Sequence, residues 1–270
     1  MLLSQNKIVR CLIRDKSQTQ PLVQAGAQTL IGDLKDPGSL KTACKDVEVV
    51  ITTANSQKRG GPDNYQTVDL QGNRNLIDAA KTAGAKQFIF VSASSADPNS
   101  PVPLLQAKGK TEEYLRDSGL AYTIVAPNAF MDIWVADTVG FPAIHRRPVT
   151  LVGEGRRKHS WVSVQDVAKT MIKSVNNPKA MNKRLVVGGP EPLSFLQIIE
   201  IYERLLGRKI VVNHASPGQP IPDYPEYLVS LLPSFDMFDS PIDMTDFVRT
   251  FDIQLTSVEE FAKKMISATP

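Results

Sequence analysis

The sequence predicts an α/β chain, with a doubly wound parallel sheet in the first half and a smaller irregular lobe in the second. Strand-like runs at 8–13, 28–31, 47–52, 87–91 and 122–126 alternate with helical periodicity at 17–25, 36–43, 64–83 and 107–118. That alternation is the βαβ pattern. Runs such as Phe88-Ile89-Phe90-Val91 are apolar at successive positions, as a strand covered by helices on both faces requires. Beyond Pro142 prolines recur through Pro148, Pro178, Pro190, Pro192 and from Pro217 to Pro241, so only short elements fit there.

Taken in order, residues 1–6 read as the end of an amphipathic helix and Lys7 to Asp15 as the first strand. Gly26, Gly84 and Gly119 stand just past predicted helices, where a left-handed residue is needed. The best helix of the second half starts at Ser194, a plausible N-cap, carries Phe195, Ile198, Ile199, Tyr202 and Leu205-Leu206 on one face, and closes at Gly207. An extended run follows at 208–213. There is no internal repeat and no low-complexity segment.

With 270 residues, 42% of them apolar, the chain can bury a substantial core. Its 31 basic and 28 acidic side chains are interspersed, which argues against a nucleic-acid partner. Arg146-Arg147 and Arg156-Arg157-Lys158-His159 read as solvated loop charge, with contact to a cofactor phosphate as the other reading. Cys11 and Cys44 lack metal spacing and behave as small hydrophobes. No run reaches the roughly 18 apolar residues of a membrane span, and no signal peptide is visible. A cytoplasmic protein is expected.

Arg14-Asp15 closes the first predicted strand. In a dinucleotide fold such a strand end lies beside the adenosine ribose, where Arg14 could meet a 2′-phosphate; a surface charge pair is the plain alternative. Gly32-Asp33-Leu34 could bring an aspartate and backbone groups to an adenine edge, or Asp33 could serve only as a turn and cap residue. Val49 to Asn55 ends in Thr52, Thr53 and Ala54, whose small side chains let backbone pass close to a flat ligand.

Residues 8–131 resemble the short-chain dehydrogenase superfamily, and in particular its atypical NmrA-like branch of isoflavone-reductase-like enzymes, quinone reductases and redox-sensing regulators. The resemblance is carried by Val9-Arg10-Cys11-Leu12-Ile13-Arg14-Asp15, Gly32-Asp33-Leu34, the 67–80 helix with Asn73 and Asn75, Phe90 to Ser95, Lys108 with Glu112 to Leu115, and Ala126-Pro127-Asn128-Ala129-Phe130-Met131. Trp161 to Ala168 is similar to the segment by which extended members return to the main sheet. The resemblance implies a Rossmann-type dinucleotide-binding domain over 1–131 and a substrate lobe over 132–270, of which 159–188 returns to the sheet. It implies NADP, or NAD, as cofactor.

It also implies roles. Lys108 matches the lysine that holds the nicotinamide ribose and takes part in catalysis, but the tyrosine four residues before it is Leu104, so standard proton transfer is not expected. Ser92 would border the cofactor, and Ser94 and Ser95 the substrate. Pro127 and Asn128 would line the nicotinamide pocket, with Phe130, Met131 and Trp134 as an apolar wall, although core packing suits those three equally. His145, His159 and His214 have no ligand partners at metal spacing, so no metal site is expected. The implied activity is reduction of a small apolar carbonyl, quinone or enone by NADPH; the alternative is a non-catalytic redox sensor or assembly factor working through protein partners, with weak or no cofactor binding.

Against the family pattern, the first βα unit and its glycine-rich phosphate loop are missing: no G-x-G-x-x-G spacing occurs. In a sheet of order 3-2-1-4-5-6 that strand is central. Its absence predicts a slot flanked by unpaired backbone, each buried unpaired group costing about 1–3 kcal/mol, and weak or absent NADP binding. The expectation is an N-terminally truncated version of a longer protein.

Overall fold

The computed structural model describes all residues except Lys58, Pro222, Asp223, 225–228, Ser230 and Pro270. They fall into two units, Met1–Ala126 with Thr170–Leu185, and Pro127–Lys169 with Val186–Pro270.

The first unit is the alternating α/β part. Strand β1 (Arg10–Ile13) and β2 (Gln28–Ile31) form a parallel pair, Arg10 opposite Gln28 and Ile13 opposite Ile31. Four further strands, β3 (Val49–Thr52), β4 (Gln87–Val91), β5 (Tyr122–Pro127) and β6 (Lys183–Val187), form a second sheet in that order, with β3–β4 and β4–β5 parallel. Among the described residues no strand pairing joins β1 to β3. Burial follows the pairing: every residue of β4 is buried, whereas β1 buries only Ile13, and Ile8 just ahead of it is 88% exposed.

Helices α1 (Thr19–Gln24), α2 (Pro37–Cys44), α3 (Asn73–Thr82) and α4 (Pro103–Asp117) fill the connections. Proline at the first turn of α2 and α4 sets the helical φ and gives up an amide that has no partner anyway, which is why α4 begins four residues earlier than the periodicity alone predicts. Leu40, Cys44, Leu76, Ile77 and Ala80 from α2 and α3 pack with Phe88, Phe90, Leu115 and Ile124 into one core. Gly26, Gly84 and Gly119 all take positive φ after their helices, as predicted.

Three expectations change. Residues 1–6 are not a helix end but a 3-10 turn, Leu3–Gln5, stopped by left-handed Asn6. The helix expected over 17–25 opens with a 3-10 turn at Lys16–Gln18 because Asp15 caps Ser17. The one expected over 64–83 is a wide π-type helix, Tyr65–Gly72, running into α3, and Asn64 caps its start.

In the second unit Val149–Val152 pairs in parallel with Val212–Ala215, so the extended run predicted at 208–213 begins as a strand only at Val212. His159–Ser160 pairs antiparallel with Pro192–Leu193. The helix Phe195–Leu206 is as predicted, with a reciprocal Ser194–Gln197 capping box and left-handed Gly207. Its buried face joins Met131, Val135, Val139 and Trp161 in a core of its own. Among the described residues no helix is long and apolar enough to cross a membrane.

Candidate functional site

At the carboxyl ends of β1 and β2 three cations converge on one acid. Arg14, directly after β1, places Nη1 2.5 Å from Asp63 Oδ2; Lys35, past the turn after β2, bonds Asp63 Oδ1; Arg59 stands 3.7 Å from Oδ2. The Asp63 side chain is only 6% exposed, and the hydrogen bond from Lys35 leads the effects that hold its carboxyl below the usual range. Asp33 accepts the Lys35 backbone N–H at 2.8 Å, and its own N–H donates to Ser39 Oγ at 3.2 Å. Leu34 is tied down through its carbonyl, which accepts from Asn75 Nδ2 at 3.0 Å. Gly32 is required here, because a Cβ would fall 2.7 Å from both Leu12 and Ser39.

Beyond β3 the three small residues divide. Thr52 is buried and donates its hydroxyl to Asn73 Oδ1 at 3.1 Å, whereas Thr53 is exposed and Ala54 half-buried.

Under β4 lies a second charged group. Lys108, buried on α4, donates to the Val91 carbonyl at 3.0 Å, stands 3.9 Å from Asp69 Oδ1 and lies over the Phe90 ring. Burial pushes its amine pKa down, and Asp69 and Glu112 oppose that shift. Asp69 is fully buried: Oδ2 accepts from the Ser56 N–H at 2.9 Å and hydroxyl at 2.7 Å, while Oδ1 has no hydrogen-bond partner among the described residues. Ser92 donates to Glu112 Oε1 at 2.5 Å, and Glu112 also takes Arg116 at 2.6 Å and Arg184 at 2.9 Å. Arg184 reaches on to the carbonyls of Ala93 and Ser94 at 2.8 and 3.0 Å, fixing the loop that carries Ser94 and exposed Ser95. Leu104, at the tyrosine place, offers no hydroxyl.

The first unit therefore brings Arg14 and Asp33 to one cluster, and Ser92 and Lys108 to one buried network. Sequence reading missed Lys35, Arg59, Asp63, Asp69 and Arg184. Asp69 had a signal: it stands between Val68 and Leu70 in a buried part of its helix, where an acid is out of place.

In the second unit, Pro127 is buried and Asn128 donates its amide to the Ser240 carbonyl at 2.9 Å and hydroxyl at 3.1 Å. Met131 is fully buried in the core, Trp134 is half-buried edge-on to Phe235, and Phe130 is half-buried beside Val162. His159 is buried, with Nε2 2.9 Å from the Phe235 carbonyl and Nδ1 2.7 Å from Ser240 Oγ, and burial lowers its pKa. Among the described residues no group of three or more His, Cys, Asp or Glu could hold a metal.

The sequence profile of the NAD(P)H-binding family matches residues 1–178. A photosystem II assembly factor, Ycf39, of Cyanophora paradoxa is 32% identical over 205 residues, 76% of this chain and 63% of that protein. An NAD(P)H azoreductase of Xenophilus azovorans is 30% identical over 201 residues, 74% of this chain and 66% of that protein. The chain thus spans about two thirds of the length of these relatives. An NADPH-dependent quinone oxidoreductase of Escherichia coli, solved with NADPH, superposes with a TM-score of 0.77 at 21% identity, covering 95% of this chain and 89% of that one. That likeness is one of fold.

Proposed function

We propose that this chain, which belongs to the NAD(P)H-binding family, is of the NmrA-like atypical short-chain dehydrogenase type and is an NADPH-dependent reductase of a small apolar carbonyl, quinone or enone. The observation that carries the preference for NADP over NAD is the cationic cluster: Arg14, Lys35 and Arg59 suit a doubly charged 2′-phosphate, which an unphosphorylated ribose cannot offer. Thr53 and Ala54 would lie along the flat part of the cofactor, with Asp33 and Leu34 at the adenine edge. A bound dihydronicotinamide supplies the hydride.

The protein's own part is to hold and orient. An ammonium has three donors, and Lys108 spends one on Val91, which leaves two for ribose hydroxyls. Ser92 is already committed to Glu112, so its role is to fix the end of β4 beside the cofactor. Within the first unit Ser94 and Ser95 are the proposed substrate-facing residues; within the second, Asn128 is proposed for the carboxamide and Phe130, Met131 and Trp134 for an apolar wall. Leu104 removes the usual proton donor, so protonation of the product falls to Lys108 or to solvent.

A second reading has its own support. Leu104, together with the likeness to an assembly factor, favours a cofactor-responsive protein that works through a protein partner and turns over nothing. One experiment separates them: NADPH is titrated into the protein with nicotinamide fluorescence and melting temperature as readouts, then its oxidation is followed over a panel of quinones. Binding with turnover supports the reductase, binding without turnover the partner-directed reading. No binding by the folded protein refutes the reductase and leaves the partner-directed reading in its cofactor-free form.

A further inference from the structure

We propose that Asp63 is a built-in anion that occupies the Arg14, Lys35 and Arg59 cluster in the free protein and must leave before a ligand phosphate can enter, so that it sets the affinity and the phosphate preference of the site. The geometry shows an occupant buried beneath accessible cations. The Asp63 side chain is 6% exposed, whereas those of Arg14, Lys35 and Arg59 are 42%, 33% and 24% exposed. A ligand can therefore approach the cations from solvent while the acid lies on their inner side.

Charge bookkeeping gives the direction. Among the described residues, Arg14, Lys35 and Arg59 face Asp63, with Asp33 4.0 Å from Lys35, so withdrawing Asp63 raises the net positive charge of the cluster by one. Asp15, next to Arg14, is turned to its own task of capping Ser17. The cluster thus holds less attraction for a phosphate than its cations could exert.

The chain around Asp63 is suited to moving it. Asp63 ends the turn Arg59-Gly60-Gly61-Pro62-Asp63, in which Gly60 and Gly61 both take left-handed φ, +69° and +60°, with nothing within 4 Å of where a Cβ would stand. Among the described residues its backbone holds one hydrogen bond of this turn, from its N–H to the Gly60 carbonyl at 3.2 Å. The next residue, Asn64, is anchored as the cap of the Tyr65–Gly72 helix. Thr67 Oγ1 donates to the Pro62 carbonyl at 2.8 Å, so both neighbours of Asp63 are held to the helix, and the movement proposed is a turn of the Asp63 side chain between them that leaves the helix in place.

The inference deepens the NADP reading of the same cluster, and its test can fail separately. Wild type and Asp63→Asn are titrated with 2′,5′-ADP, NADPH and NADH, with Asp63→Ser as a second neutral replacement should the amide disturb folding; circular dichroism and melting temperature establish that each variant is folded. The expected result is 2′,5′-ADP binding about tenfold tighter in the neutral variants, with a steeper loss of affinity in salt and no gain for NADH. Unchanged or weaker 2′,5′-ADP binding would overturn the inference and make Asp63 an organiser of the cations. Tighter 2′,5′-ADP with no NADPH binding in any variant would leave it standing and refute the nicotinamide reading.

Discussion

Replacing Lys108 by methionine tests how the buried charges of the first unit are held. Its amine stands 3.9 Å from Asp69 Oδ1. Unit charges at about 4 Å interact by about 4 kcal/mol at an effective dielectric of 20. Methionine also leaves the Val91 carbonyl without its donor, a further loss of about 1–3 kcal/mol, offset by the desolvation cost that the amine no longer bears. The net expectation for Lys108→Met is a loss of about 3–5 kcal/mol, because Asp69 is left fully buried with no cation beside it. In the double variant with Asp69→Asn much of that loss should be recovered, giving a coupling of at least about 2 kcal/mol in a urea-denaturation cycle. The pH dependence supplies an independent readout. Lys108 has a lowered pKa in the fold, so between that value and 10.5 the unfolded chain binds more protons than the native one, and this group makes stability rise with pH across that window. Lys108→Met should abolish that rise. Additive single losses, within about 0.5 kcal/mol, together with an unchanged pH slope would refute the ion-pair account.

Other outcomes follow from the same geometry. Arg14→Ala should weaken NADPH binding about tenfold while leaving NADH binding nearly unchanged, as read by nicotinamide fluorescence; equal losses for both would count against a 2′-phosphate role. Ser194→Ala removes the hydroxyl that caps Gln197 N–H and should cost about 1 kcal/mol in chemical denaturation. His159, neutral and buried with a lowered pKa, makes the second unit lose stability as pH falls from 6.5 towards its folded value, because the unfolded imidazole takes up the proton first. His159→Gln should flatten that part of the profile.

The parallel strands were legible because their signal is local: an apolar run of four or five residues between helical periods reads the same wherever it packs. Caps were legible for the same reason, as Ser194 and Gly207 show. The ion clusters were not. Arg14, Lys35, Arg59 and Asp63 meet across as many as 49 residues of sequence, and no spacing rule links a strand end to a glycine turn that far away. Arg184 on Glu112 is 72 residues distant and equally invisible. Asp69 and Met131 are instructive opposites. Asp69 was overlooked although an acid on a buried helix face is out of place, and Met131, read as either ligand wall or core, lies fully buried in the core of the second unit, where its type alone could not place it because an apolar side chain serves either purpose.

The division of the first unit's strands into two sheets gives the cluster a second meaning. A two-stranded ribbon is marginal by itself, and the β1–β2 pair is fastened to the rest by side-chain ties such as Arg10 to the Ala43 and Lys45 carbonyls, and Asn75 to Leu34, with no ladder to β3 among the described residues. Arg14 and Lys35 stand on the segments that leave that ribbon, while Arg59 stands in the turn after β3. An anion gripped by all three would clasp the ribbon to the body, and by mass action each tenfold excess over its dissociation constant would make the ribbon's detachment about 1.4 kcal/mol harder. Amide hydrogen exchange in residues 10–13 and 28–31 would then report the occupancy of a site that none of those amides touches.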